Sequence, residues 1–408
     1  MTDFIEELLE ENAPIFANKD LLDIRHVPKD SDRIVGRDDE LRFLVQAIRP
    51  ALDGQTPTNI FLYGKSGTGK SLCSQFVSKN IARKAEDKTI SMGVAYVNCL
   101  VYDTETGSIR RACTELNDPD ETGLRNPPES GISGAAYYEA LYEILDAKYD
   151  VAIIILDEID KLGDASDNVI AKLSRAAESQ QLKNCRLSLI GISNQTQFKD
   201  LLRNRTKSSV NVQEFVFSPY DATQLKEILS RRRDAFKEGA LEDGIIELVA
   251  AKAASQYGDA RKAIELFRNV GEVAQRLGRD TITSDLVEPA SNLTEANLLR
   301  SQIMNLQPHA EYVTLAIVNL ALNLDTGEEH VFSSTEIIST YNTVCEENGS
   351  TPLSKRRVRD ILAELAELNV IDQRRPGQGR GKGRKMINEL LEDPDIVAAA
   401  IREKNSDR

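Results

Sequence analysis

The sequence predicts an α/β fold: a parallel sheet wrapped in helices, a helical lid attached to it, and a winged helix-turn-helix domain closing the chain. Three observations predict this. Strand and helix patterns alternate from Arg33 to Ser218, as a parallel sheet requires. Strands stop at Pro219, and three helical patterns follow. From Ser301 onward the order is helix, helix, helix, hairpin, the layout of a winged helix. The expected organisation is an N-terminal segment 1–32, an α/β domain 33–218, a helical lid 219–290, a connecting helix 291–300 and a winged helix 301–408.

Each element has its own signal. Candidate strands are 59–63, 93–98, 151–156, 187–193 and 214–217. The unbroken apolar run Val151-Ala-Ile-Ile-Ile-Leu156 fits a strand covered on both faces. Residues 100–134 are polar, hold Arg110 and Arg111, and read as a loop from 117 to 133. Helical periodicity covers 221–239, 242–257 and 259–277, with Thr223 as N-cap of 224–236 and Gly239, Gly258 and Gly278 at the ends. In the last domain, helices are expected at 311–322, 334–348 and 354–368. Strands 370–374 and 385–388 then flank a glycine-rich turn from Gly377 to Gly383.

Composition excludes several classes. Hydrophobic residues make up 41% of the 408, an ordinary globular share, and no apolar run approaches the ~18 residues of a membrane span. The five cysteines are scattered and odd in number, which predicts reduced thiols in a cytoplasmic protein, without a disulfide framework or zinc site. Acidic residues near the N-terminus are wrong for a signal peptide. The net charge is −14, yet residues 355–385 hold ten basic side chains against four acidic ones. An acidic body with one basic end locates a nucleic-acid face. The acidic excess also suggests a halophilic setting.

Chemistry concentrates in Gly64-Lys-Ser-Gly-Thr-Gly-Lys-Ser71, a P-loop between a strand and a helix start. Its glycines let backbone N–H groups of Gly64, Lys65, Ser66, Gly67, Thr68, Gly69, Lys70, Ser71 and Leu72 converge on phosphates at a helix N-terminus. Lys70 reaches the β and γ phosphates, and the Ser71 hydroxyl ligates Mg²⁺. The strand 151–156 ends in Asp157-Glu158, placing Asp157 beside Mg²⁺ and Glu158 where it polarises the attacking water. Asn194, after strand 187–193, is positioned to orient that water. ATP or ADP with Mg²⁺ is the expected ligand set.

These features together resemble the AAA+ ATPases, and more narrowly the archaeal origin-recognition and cell-division-control initiators. The likeness runs through Ile15-Phe16-Ala-Asn-Lys, the P-loop, Leu156-Asp-Glu-Ile-Asp-Lys-Leu162, Ser218-Pro-Tyr-Asp-Ala-Thr-Gln-Leu225 and Gly258-Asp-Ala-Arg-Lys-Ala263. The resemblance implies that Arg261 touches the γ phosphate from the lid and that Arg205 is a finger offered to a neighbouring protomer's ATP. It also implies that Tyr220 and Arg232 line the nucleotide, with Val35, Gly36 and Arg37 along the adenine side. Permanent charge and a forked geometry suit arginine to phosphate.

For duplex DNA, Lys355, Arg356, Arg357 and Arg359 decorate the third helix of the winged domain, facing the major groove. Arg374, Arg375, Arg380, Lys382, Arg384 and Lys385 lie on the hairpin. The resemblance adds a DNA-contacting helix near 106–133, with Arg110 and Arg111 as candidates. The expected function is an ATP-dependent initiator of DNA replication, a slow, switch-like ATPase that binds origin double-stranded DNA and helps load the replicative helicase. The rivals are a transcriptional regulator, a silent or repressive paralogue, and a clamp-loader-like ATPase. No membrane partner is expected.

Overall fold

The computed structural model describes residues 15–23, 34–176, 179–324, 331–368, 370–374 and 386–406. It falls into two compact bodies that meet in sequence at Val287 and Glu288.

In the first body, helix α1 (Asp38–Ile48) precedes strand β1 (Asn59–Tyr63), and helix α2 (Lys70–Glu86) leads to β2 (Met92–Asn98). Helices α3 (Glu105–Leu116) and α4 (Gly134–Lys148) separate β2 from β3 (Val151–Asp157). Helix α5 (Ala165–Ser174), strand β4 (Arg186–Ser193), the short helix α6 (Asn204–Ser209) and β5 (Val212–Val216) complete the α/β part. The sheet is wholly parallel, in the order β2-β3-β4-β1-β5. All seven residues of β3 are buried, as a strand covered on both faces must be. One face packs Leu44, Ile48, Val77 and Ile81 against the sheet; the other packs Ile109, Leu141 and Leu145. The C-terminal ends of β1, β3 and β4 therefore share one edge, where ligands of open parallel sheets bind.

The stretch after β2 is helical as far as Leu116 and then, apart from one turn, is the loop expected over 117–133. Thr104 caps α3 by accepting from the Gly107 amide, and a one-turn helix Pro119–Thr122 follows. Arg110 pairs with Glu129 at 3.2 Å, and Arg111 pairs with Glu115, so acidic neighbours in this segment take both cations.

Three helices follow the sheet in the same body: α7 (Ala222–Ser230), α8 (Ile245–Gln256) and α9 (Ala260–Arg276). The cap of α7 is Asp221 rather than Thr223. Its carboxylate accepts from the Gln224 amide at 2.8 Å while the Gln224 side chain accepts from the Asp221 amide at 3.1 Å, a reciprocal capping box. The helix also stops at Ser230, six residues before the expected end. Phe236 turns extended there and pairs antiparallel with Phe16, and the Lys237 amide donates to the Ile15 carbonyl at 3.0 Å. The Ile15-Phe16 segment is thus a strap on the helical part.

The second body contains most of α10 (Val287–Met304), which is longer than the expected 291–300. Helix α11 (Pro308–Leu322), strand β6 (Val331–Ser333), helices α12 (Ser334–Glu347) and α13 (Lys355–Glu367), strands β7 (Ile371–Arg374) and β8 (Ile387–Leu390), and helix α14 (Pro394–Ser406) complete it. Its sheet runs β6-β8-β7, antiparallel throughout. The buried Asn388 joins all three strands, accepting from the Gln373 side chain at 2.8 Å and donating to the Phe332 carbonyl at 3.2 Å.

Candidate functional site

The P-loop turns between β1 and α2 at the shared sheet edge. Gly64, Gly67 and Gly69 have φ of 143°, 71° and 93°. A Cβ at Gly64 would lie 2.4 Å from the Phe217 carbonyl, and one at Gly67 would lie 1.8 Å from the Asp259 carboxyl group. Only glycine fits such positions, and the result is a backbone concavity opening on the N-terminus of α2.

Lys70 is buried and donates to the carbonyls of Gly64 and Lys65, each at 2.7 Å, and to Asn194 Oδ1 at 3.0 Å. Burial lowers its pKa to about 8, against the opposing pull of Asp157. Asn194 reaches Lys70 because β4 lies between β3 and β1. Asp157 ends β3, with Tyr96 donating to its Oδ2 at 2.6 Å and the Glu158 amide to its Oδ1 at 3.0 Å. Glu158 sits at φ 53°, in the left-handed region that non-glycine residues rarely adopt. Burial and then the Asp157 charge push its carboxyl above the usual carboxylate range. Asp160 is held by the Ser193 hydroxyl at 2.7 Å, tying the turn after β3 to the end of β4.

The helical part closes over this edge. Asp259 caps α9, accepting from the Arg261 amide at 2.7 Å, and the Ala260 amide donates to the Gly67 carbonyl at 3.3 Å. Arg261 donates to the Ser66 hydroxyl, so the lid arginine rests on the P-loop itself. Tyr220 brings its hydroxyl to 2.8 Å from where a Gly69 Cβ would be. The guanidinium of Arg37, 2% exposed, stacks 3.8 Å from the Tyr220 ring centroid and donates to Glu40 and to the Ser218 carbonyl. Gly36 accepts from the Gln224 side chain at 2.9 Å, and Val35 is buried.

The structure therefore gathers Lys70, Asp157, Glu158, Asn194, Tyr220 and Arg261 around the P-loop. Arg232 donates to the Ile228 carbonyl at 2.9 Å, closing the end of α7. Arg205 lies on α6, whose N-cap residue Arg203 is anchored by its amide to Asp167 at 2.8 Å; the Arg205 side chain is outside the described residues. Lys355, Arg356, Arg357 and Arg359 are exposed in the first turns of α13, and Arg357 pairs with Glu364 at 3.2 Å. Arg374 is engaged by Glu389 at 2.9 Å. Arg375, Arg380, Lys382, Arg384 and Lys385 lie outside the described residues. Sequence reasoning missed Tyr96, Asp160, Gln224 and Asp259.

The residues present fit a nucleoside triphosphate with a divalent cation. The glycine cradle offers amides to phosphate, Lys70 and Arg261 supply charge, and Ser71 and Asp157 supply two oxygen donors. No group of three or more His, Cys, Asp or Glu arranged to hold a metal occurs among the described residues. A cation held by one carboxylate, a hydroxyl and phosphates matches how Mg²⁺ is bound. All five cysteines are free and buried, and among the described residues no helix is long and apolar enough to cross a membrane.

Comparison with known proteins matches the same succession of parts. The AAA ATPase domain model covers residues 33–190, the Cdc6 AAA+ ATPase-type lid domain 226–292, and the CDC6 C-terminal winged helix domain 301–400. The chain is 40% identical over 398 residues to the ORC1-type DNA replication protein 4 of Halobacterium salinarum, spanning 98% of this chain and 95% of that protein. It is 37% identical to the ORC1-type DNA replication protein of Pyrococcus abyssi, over 93% of this chain and 88% of that one. Among solved structures, the Aeropyrum pernix ORC1 protein in complex with DNA has a TM-score of 0.79 at 31% identity, covering 96% of this chain and 97% of that one. Cdc6p from Pyrobaculum aerophilum shares the fold, with a TM-score of 0.58 at 22% identity over 96% and 99% of the two chains.

Proposed function

Because the chain belongs to the ORC1/Cdc6 family of AAA+ ATPases, we propose that it is an ATP-controlled initiator that binds origin duplex DNA and helps recruit the replicative helicase. One observation carries the reading. Arg261 on the lid reaches the P-loop, whose Lys70 donates to Asn194 at the end of β4, so a triphosphate there would be sensed by sheet and lid together.

In this reading the P-loop amides and Lys70 hold the phosphates, while Ser71 and Asp157 hold Mg²⁺, whose charge offsets that of the phosphates. Glu158 accepts a proton from the attacking water at its carboxylate, Asn194 orients that water, and Arg261 fixes the lid. Val35, Gly36, Tyr220 and Arg232 border the nucleotide. Arg205 is supplied to a neighbouring protomer, which makes hydrolysis by a lone chain slow and the nucleotide a switch. Lys355, Arg356 and Arg359 read the duplex, with Arg375, Arg380, Lys382 and Arg384 on the wing. The domain boundaries proposed are those at 33, 219, 291 and 301. The setting is a salty cytoplasm, in keeping with the Halobacterium salinarum relative.

A genome-wide occupancy map tests the function. Sharp peaks at replication origins, lost or redistributed in Lys70→Ala, are expected. Peaks at promoters with replication unaffected by deletion would instead identify a transcriptional regulator.

A further inference from the structure

We infer that Tyr96 is a positioning residue for the divalent-cation site, holding the Asp157 carboxylate in the orientation from which it meets a hydrated metal. The inference rests on the nucleotide-site reading above and adds a residue to it.

Tyr96 lies on β2, the edge strand beside β3, where Tyr96 is the register partner of Ile155 and Asn98 that of Asp157. Its hydroxyl donates to Asp157 Oδ2 at 2.6 Å, while Oδ1 accepts from the Glu158 amide at 3.0 Å. Each carboxylate oxygen thus has one donor and keeps further acceptor capacity. Rotating the group would break both bonds. Lys70 gives its hydrogen bonds to Gly64, Lys65 and Asn194, so the carboxylate is not drawn into a direct pair with the nearest ammonium.

A single carboxylate matters more for Mg²⁺ than for zinc, because Mg²⁺ keeps most of its waters and takes few protein ligands. Partners that orient a metal ligand are typically worth roughly 10–100-fold in metal affinity. Tyr96→Phe removes only the donor and keeps the ring.

The test uses the full chain with ADP, Mn²⁺ as the probe, and electron paramagnetic resonance to count free metal. Tyr96→Phe should weaken Mn²⁺ binding to the ADP complex by about tenfold or more, with ADP affinity in EDTA held within about twofold. Mn²⁺ affinity within about twofold of the parent would overturn the assignment. So would a parallel fall in metal-free ADP affinity, which would mark Tyr96 as packing alone. Asp157→Ala is run alongside. If Asp157→Ala loses Mn²⁺ and Tyr96→Phe does not, only the tyrosine assignment falls. If Asp157→Ala binds Mn²⁺ normally, the cation-site reading fails and takes the tyrosine with it.

Discussion

At Lys70, burial and function pull in opposite directions. Removing an ammonium from water favours its neutral form, and here it brings the pKa down to about 8. Phosphates favour the charged form, so the pKa in the nucleotide complex must lie above that of the free protein. Binding above pH 8 then takes up a proton. The sign follows: affinity is level at neutral pH and falls as pH rises past about 8, by up to about tenfold per unit. Titrating a fluorescent ADP analogue from pH 6.5 to 9.5 checks this, and a flat profile would contradict it. Lys70, Asp157 and Glu158 were legible because each stands in a contiguous motif or at the end of an apolar run. Tyr96 and Asp259 were not. Tyr96 meets Asp157 across strands, a register no single segment encodes. Asp259 falls inside the expected helix 259–277, and its two roles, capping α9 and packing on Gly67, depend on how the lid folds back.

At the scale of elements, local signals located the strands of the parallel sheet to within a residue or two, because apolar runs bounded by turns leave little latitude. The exceptions have physical causes. The cap of α7 moved to Asp221 because a carboxylate with Gln224 three residues on makes two bonds, which Thr223 cannot match. Strand β6 has three residues and carries no periodicity of its own. Helix α14, beyond the expected hairpin, begins at Pro394 after Asp393, whose carboxylate accepts from the Asp395 amide. It is fastened by a buried pair: Lys404 lies 2.9 Å from Glu311 of α11 and donates to the carbonyls of Ile303 and Leu306 at 3.1 and 2.6 Å. Lys404→Met would remove the ammonium that lies against the buried Glu311 carboxylate, a change worth about 3–5 kcal/mol. Amide hydrogen exchange in α14 should then quicken by about two to three orders of magnitude relative to the parent. Unchanged protection would show that the pair adds nothing.

For the whole molecule, the proposed function raises the question of how a chain of net charge −14 would hold a polyanion. Attraction has to be local, and Lys355, Arg356 and Arg359 at the exposed start of α13 are the described residues placed for it. In molar salt the Debye length is about 3 Å, so attraction between these cations and phosphates is largely screened. Counterion release, which drives non-specific binding in dilute salt, is also weak there. What survives is what salt screens least: hydrogen bonds to base edges, groove shape, and bridging waters. Binding to origin DNA should therefore persist in 2 M KCl while binding to random duplex vanishes. Arg356→Ala, if that side chain reads a base, should shrink the origin-to-random ratio by about tenfold with little change in salt slope. Lys355→Ala, if it meets phosphate, should lower the slope by about one and leave the ratio intact. Fluorescence anisotropy on both duplexes between 0.2 and 2 M KCl separates the two roles. Origin and random affinities falling along one common line would mean that the winged helix grips DNA by charge alone, and that its specificity in high salt comes from somewhere else in the molecule.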